Sequence, residues 1–296
     1  MNIKFKAIYL NKNQGHGNAR RISVNNCSNE LVALMDADDI SCPKRFEIQL
    51  NKFFQNPEID IVGGQITEFI DSETNIIGKR TVLENNLEIY QDIKKRCPMN
   101  QVTVMFKKSI YNKAGGYIDW FCEEDYYLWL RLAEVSAIFA NVPETLVNVR
   151  VGNEMSSRRG GFKYFLSELR LQNYMLKKGI ISLSRYLYNV ILRFGGQVIL
   201  PNKIRTKLFI LMREKLNFME IENIPDYNFE NCKGYYKFSV AMCVYGGDNP
   251  LWFETALKSI ILDQSVKPNE LVLVVDGPIP KEIQFVINKY KKMCNL

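Results

Sequence analysis

The sequence predicts an α/β fold with a mostly parallel sheet flanked by helices, and three observations carry that prediction. Leu31-Val-Ala-Leu-Met35 is an unbroken apolar run of strand length, as expected of a strand buried on both faces of a parallel sheet. It ends abruptly in Asp36-Ala-Asp38-Asp39, at the strand end where α/β sheets bind ligands. A fresh strand–helix–strand–helix pattern at 237–296 again puts an acid, Asp276, at the end of an apolar strand.

Taken in order, Phe5–Leu10 reads as a short strand, and the loop with Gly15 and Gly17 feeds a helix running through Cys27. Backbone N–H groups and Arg20 at that helix start could meet phosphate; Arg20 as a solvated helix residue and His16 as a loop hydrogen-bonder are the plainer readings. Pro43–Phe54 is a helix stopped by Asn56-Pro57, and Ile59–Gly64 a strand whose Gly63-Gly64 admits close backbone approach. Residues 65–83 alternate as a hairpin, Leu87–Lys95 is helical, 100–106 is strand-like, and Lys113-Ala-Gly-Gly-Tyr117 is a tight turn. The stretch Val147–Gly161 reads as a basic, glycine-containing loop, with Phe162–Lys178 a helix after it. Residues 181–216 mix apolar side chains with Arg185, Arg193, Lys203, Arg205, Lys207 and Arg213. That mixture fits either a basic amphipathic segment on an anionic bilayer or a core helix pair with solvated basic faces. Residues 217–236 lose periodicity and read as a linker.

At 296 residues and 47% apolar content the chain can bury one large core, or a core with a small appendage. Its 39 Lys and Arg against 32 acids favour anionic substrates or an acidic membrane surface, and without zinc-finger spacing or aromatic–basic interleaving nucleic acid is not expected. Seven scattered cysteines without a CxxC pair, no apolar leader segment and no uncharged apolar run of spanning length together predict a cytoplasmic protein.

Two constellations carry chemistry. Asp36, Asp38 and Asp39 repel one another, and a hard divalent cation with oxygen ligands is the simplest partner that neutralises them. Helix capping accounts for Asp39 or Ser41 but not for Asp36. An EF-hand fails because Ser41 stands where that loop needs glycine. A phosphatase with an aspartyl nucleophile remains a rival. The second constellation is Glu123-Glu124-Asp125, whose last two acids fall in the first turn of a helix among Trp120, Phe121, Tyr126 and Tyr127. A carboxylate in so apolar a frame can be made basic enough to act as a general base.

These motifs resemble the inverting family 2 glycosyltransferases of GT-A fold, bacterial enzymes that build surface polysaccharides. The resemblance rests on the Phe238–Tyr245 strand, the helix with Trp252-Phe-Glu-Thr, the Val275-Asp276-Gly-Pro strand end, the Asn-x-Gly loop before Arg20, the Asp-x-Asp at 36–38 and the Glu124-Asp125 pair. The opening unit stands last, so the chain resembles a circular permutation in which Leu296 leads back to Met1. The resemblance implies Tyr245 and Asp276 at the nucleoside base, Arg20 near the nucleotide, and Asp36 and Asp38 on ribose and a diphosphate-bound Mn²⁺ or Mg²⁺. It implies Asp125 as the general base with Glu124 beside it, and Arg158 and Arg159 facing phosphates or acceptor. The donor would be a nucleotide-diphosphate sugar, a UDP-sugar first, and the acceptor a glycan or lipid-linked hydroxyl at the inner face of the membrane.

The expected organisation is a central and acceptor part at 1–180, a basic amphipathic segment at 181–216, a linker at 217–236 and the permuted βαβ unit at 237–296. The linker's length permits closure within one chain or a swapped dimer. A rearranged, binding-only relic is the alternative to an active transferase.

Overall fold

The computed structural model describes residues 3–152, 160–201 and 237–294. Its elements in chain order are β1 (Lys4–Tyr9), α1 (His16–Asn26), β2 (Leu31–Met35), β3 (Ile40–Ser41), α2 (Arg45–Gln55), β4 (Ile61–Phe69), β5 (Ile76–Arg80) and α3 (Asn86–Asp92). Next come β6 (Met105–Lys107), α4 (Lys108–Lys113), α5 (Glu124–Glu134), β7 (Phe139–Arg150), α6 (Phe162–Lys177) and α7 (Leu183–Phe194). The last four are β8 (Phe238–Tyr245), α8 (Pro250–Ile261), β9 (Glu270–Asp276) and α9 (Lys281–Cys294).

One sheet contains every strand among the described residues, in the order β1-β9-β8-β2-β6-β4-β7-β3 with β5 paired to β4. The late strands β9 and β8 lie between β1 and β2, all parallel, in registers that pair Phe5 with Leu271, Leu31 with Phe238 and Tyr245 with Asp276. Strand β6 reverses direction against β2 and β4, so the sheet is mostly parallel, as expected.

Alternation along the strands divides the interior into two cores. Leu31, Ala33 and Met35 join Phe238, Val240, Phe253, Leu257 and Ile287 on one face, whereas Val32 and Leu34 join Val24, Trp129, Leu130 and Leu171 on the other. Ile3 and Cys294 belong to the same core. The polar joins are equally intimate. The Ser41 amide donates to Ser259 Oγ (3.0 Å), Gln264 Nε2 to the Cys42 carbonyl (2.8 Å), and the Ser265 amide to the Pro43 carbonyl (2.8 Å). The 237–294 unit therefore backs the very segment that carries the acids. Leu296 and Met1, whose closeness the permutation predicts, lie outside the described residues, as do 202–236.

Two expectations are corrected. Residues 147–150, read as loop, are the end of the 12-residue strand β7, which pairs in parallel with β4. The register jumps from Val142 opposite Gly64 to Thr145 opposite Gln65, so Pro143 sits in a bulge where no ladder donor is needed. The strand-like stretch at 100–106 is instead a 3₁₀ turn at Gln101–Thr103, and only Met105–Lys107 is strand. There Thr103 Oγ1 bonds the Asn100 carbonyl at 2.7 Å, the local competition expected of a threonine in a turn.

Gly63-Gly64 does serve close approach, but to protein. An added Cβ at Gly63 would lie 2.4 Å from Asn141 Oδ1, and one at Gly64 would lie 2.6 Å from Leu146, so the glycines let β7 pack on β4. No helix among the described residues is long and apolar enough to cross a membrane.

Candidate functional site

The carboxyl ends of β2, β8 and β9 and the start of α5 meet at one edge of the sheet, and Arg20 on α1 ties the two acidic motifs together. Its Nη2 donates to Asp36 Oδ1 and its Nη1 to Glu124 Oε1, both at 2.9 Å, joining residues 16 and 104 positions away. Side-chain exposures of 13%, 33% and 13% for Arg20, Asp36 and Glu124 make this a largely buried triad. Burial pushes Asp36 upward, but the charge and hydrogen bond of Arg20 outweigh it and hold the carboxyl below its ordinary value. Glu124 is pushed up by burial, with Asp125 adding to it and Arg20 opposing. Arg20 is thus committed to carboxylates.

Asp39 turns inward, 4% exposed, and accepts the Arg150 amide at 2.8 Å. Burial, then Asp38 and Asp36, push its carboxyl well above the usual range. Asp248, in the turn after β8, accepts the Tyr245 amide at 2.9 Å and is pushed up to about 6 by burial, with Asp38 and Asp36 contributing. Beneath them Arg45 is fully buried, donating to the Leu34 carbonyl (2.7 Å) and Gln49 Oε1 (3.2 Å), and its burial lowers it to about 9. The acids thus carry an excess of mutually repelling negative charge. Carboxylates are the donors a hard divalent cation takes, yet among the described residues no three of these acids, or of any His, Cys, Asp or Glu, are grouped closely enough to hold one as they stand.

At the end of β9, Asp276 is buried and accepts the Gln14 amide on Oδ1 (2.7 Å) and the Gly15 amide on Oδ2 (3.1 Å). It thereby orders the loop that opens α1, where Gly15 takes a φ of 85° that favours glycine. Tyr245 is 39% exposed and meets the His16 ring edge-on, 6.3 Å between centroids. Asp125 is half-buried on the second residue of α5, its Oδ1 accepting the Tyr126 amide at 2.6 Å. Arg158 and Arg159 lie outside the described residues. Asp36, Asp38, Asp276, Tyr245, Arg20, Glu124 and Asp125 therefore gather around the same strand ends.

Sequence reasoning missed Asp248, Arg45 and above all Arg150. The Arg150 guanidinium is sandwiched between the rings of Phe69 (4.5 Å) and Trp252 (4.6 Å), with Nε on the Asp38 carbonyl (3.2 Å) and Nη1 on the Asp71 carbonyl (2.9 Å). It clamps the acid turn, the β4–β5 hairpin and helix α8 at one point. Only the fold reveals this, because its partners are scattered across the chain. Arg150→Lys keeps the charge but loses the planar fork and the ring sandwich, and is expected to cost about 1–2 kcal/mol in urea unfolding. A loss below about 0.3 kcal/mol would make the sandwich energetically idle.

Comparison with known proteins accords with this geometry. The profile of glycosyl transferase family 2 matches residues 1–114. An uncharacterized glycosyltransferase of Haemophilus influenzae is 40% identical over 207 residues, covering 70% of this chain and 76% of that protein. The amylovoran biosynthesis glycosyltransferase AmsE of Erwinia amylovora is 38% identical over 170 residues, 57% of this chain and 62% of its own. The UDP-Gal:alpha-D-GlcNAc-diphosphoundecaprenol beta-1,3-galactosyltransferase of Escherichia coli is 32% identical over 208 residues, covering 70% and 74%.

Proposed function

The chain belongs to glycosyl transferase family 2 and is a glycosyltransferase of polysaccharide biosynthesis, and from that premise we propose that it transfers a sugar, with inversion, from a nucleotide-diphosphate sugar to a glycan or lipid-linked acceptor hydroxyl. A UDP-sugar is the proposed donor, in keeping with the UDP-Gal in the name of the Escherichia coli relative. Membership in this family removes the phosphatase alternative. The observation that carries the reading is the Arg20 bridge, which joins the acidic end of β2 to the acidic start of α5, the two motifs this reading assigns to donor and acceptor.

Tyr245 offers a half-exposed ring to the nucleoside base, and Asp276 orders the adjacent Gln14–Gly15 loop. Asp38 and Asp36 would hold Mn²⁺ or Mg²⁺. Bound there, the cation would neutralise the charge of the departing diphosphate. Arg20 holds Asp36 ionised for that task. Asp125 takes the proton from the acceptor hydroxyl as it attacks the anomeric carbon, and Glu124, fixed by Arg20, orients the start of α5. We read 237–296 as the family's opening unit placed last, which the position of β8 and β9 between β1 and β2 supports.

Asp38→Asn is the direct test. Its exposed side chain predicts an unchanged unfolding midpoint, while Mn²⁺-dependent binding of the nucleoside diphosphate falls at least about tenfold, measured by calorimetry with and without chelator. Undiminished Mn²⁺-dependent affinity would remove Asp38 from the metal site. Tight, metal-dependent binding by the wild-type chain without any transfer or donor hydrolysis would instead favour the binding-only relic.

A further inference from the structure

Helix α7 is turned inside out relative to an ordinary surface helix. Its polar residues face the domain. Asn189, 2% exposed, donates to Gln172 Oε1 (2.9 Å) and to the Lys94 carbonyl (3.2 Å), and Arg193 pairs with Glu168 and donates to the Lys95 carbonyl at 3.0 Å. The apolar residues face outward: Leu183 is 62% exposed, Leu187 50%, Tyr188 58%, Ile191 70% and Leu192 59%. Spaced at three, four and five positions, they form one continuous stripe, and Ile199 extends it at 66%. An apolar stripe of this extent on a water-facing helix marks a surface that something covers.

The surrounding charge identifies the occupant. The bonds from Asn189 and Arg193 hold the exposed Lys94–Arg96 loop against the helix, and exposed Lys177 and Lys178 end the neighbouring α6. Glu134 answers Lys178 and Asp92 answers Arg96, while Arg185 lies over the Tyr188 ring at 5.6 Å. Exposed Lys94, Lys95 and Lys177 thus stand on the two segments that flank the helix, a surplus of positive charge beside the stripe. A second copy of the same chain, docked face to face, would set these cations against themselves. An anionic bilayer satisfies both parts, burying the stripe at the acyl boundary and holding lysines at the headgroups.

We infer that the outward face of α7 docks this protein on an anionic lipid surface. The inference stands on the helix alone and is independent of the transferase reading. The test uses the full chain with vesicles of phosphatidylcholine, or of phosphatidylcholine with one-quarter phosphatidylglycerol, in sedimentation assays without donor or acceptor. The wild type is expected to bind the anionic vesicles and to lose most binding as salt rises from 0.05 to 0.5 M, because the attraction is screened. The double variant Leu187→Glu, Ile191→Glu should not bind. Lys94→Gln, Lys95→Gln, a loop change that leaves the stripe intact, should weaken low-salt binding by about tenfold or more.

No binding to anionic vesicles at low salt would overturn the inference, as would equal binding by either double variant. So would a wild-type dimer in light scattering that Leu187→Glu, Ile191→Glu dissolves, which would make the stripe a contact between copies. A lowered unfolding midpoint in that variant, with no wild-type vesicle binding, would assign the stripe to the chain's own residues.

Discussion

Asp125→Asn is expected to lower turnover by about 10²- to 10⁴-fold, the usual contribution of a general base, while leaving donor affinity nearly unchanged. The geometry singles out Asp125 among the three acids at the start of α5. Glu123 is 4% exposed, and burial with neighbouring Glu168 pushes its carboxyl well up, so it is sequestered from an acceptor. Glu124 is spoken for by Arg20 at 2.9 Å. Asp125 is half-buried and anchored through one oxygen on the Tyr126 amide, which orients the other. The asparagine retains shape and can keep the amide bond but accepts no proton. Turnover and donor binding measured on the same preparation decide the matter. Turnover within about threefold of wild type would place the base elsewhere.

Arg20→Met should lower stability by about 3–5 kcal/mol, because removing one member of a buried ionic network leaves its partners charged and unpaired. Both partners are carboxylates in a site that already holds Asp38, Asp39 and Asp248, and buried Arg45 offsets only part of that charge. The pH dependence has a definite sign. In the wild type Asp36 is depressed, so its contribution is present above the unfolded carboxylate value and is lost as pH falls through the lower folded one. In the variant Asp36 loses the charge that depresses it, and protonation then relieves the burial. The stability gap between the two proteins should therefore be widest near pH 7 and narrow toward pH 4. Urea unfolding at pH 7, 5.5 and 4 measures it, and a gap that is constant across this range would show that Arg20 acts through packing alone. Combining Arg20→Met with Glu124→Gln should recover part of the loss, since one of the two stranded charges is gone.

These two predictions divide the roles that sequence reasoning had blended. Arg20 was expected near the nucleotide, and Glu124 beside the base. The structure sets Arg20 between Asp36 and Glu124, so in the proposed reading both residues would act through what they hold in place. Asp276, expected at the nucleoside, has both carboxylate oxygens on backbone amides of the loop before α1. In the proposed reading it would act on the nucleoside through the shape of that loop.

The fold class was legible because its signals are local. A solid apolar run such as Leu31–Met35 has the length and composition of a doubly covered strand, and the acids at its end mark a candidate site wherever that strand lies in the sheet. The same holds for the Glu124-Asp125 helix start and for the strand ending in Asp276. Strand β7 runs through Pro143, which a regular ladder disfavours, and what accommodates it is a bulge against β4, a property of the pair and not of either segment. The inverted face of α7 was equally invisible. Amphipathic spacing shows that a helix has two faces but does not say which one the domain takes, and here Gln172, Glu168 and the 94–95 carbonyls claim the polar one.

The sequence by itself determined the class of fold, the acids at the strand and helix ends, and the unit at 237–296 that supplies a second strand ending in an acid, since each is written within a few contiguous residues. Only the tertiary structure decided which of those groups meet and what each is bonded to. Arg20 draws together Asp36 and Glu124, and Arg150 gathers Asp39, Asp71, Phe69 and Trp252. Such groupings depend on contacts between segments far apart in the chain, where burial and charge are settled by neighbours that no local pattern names.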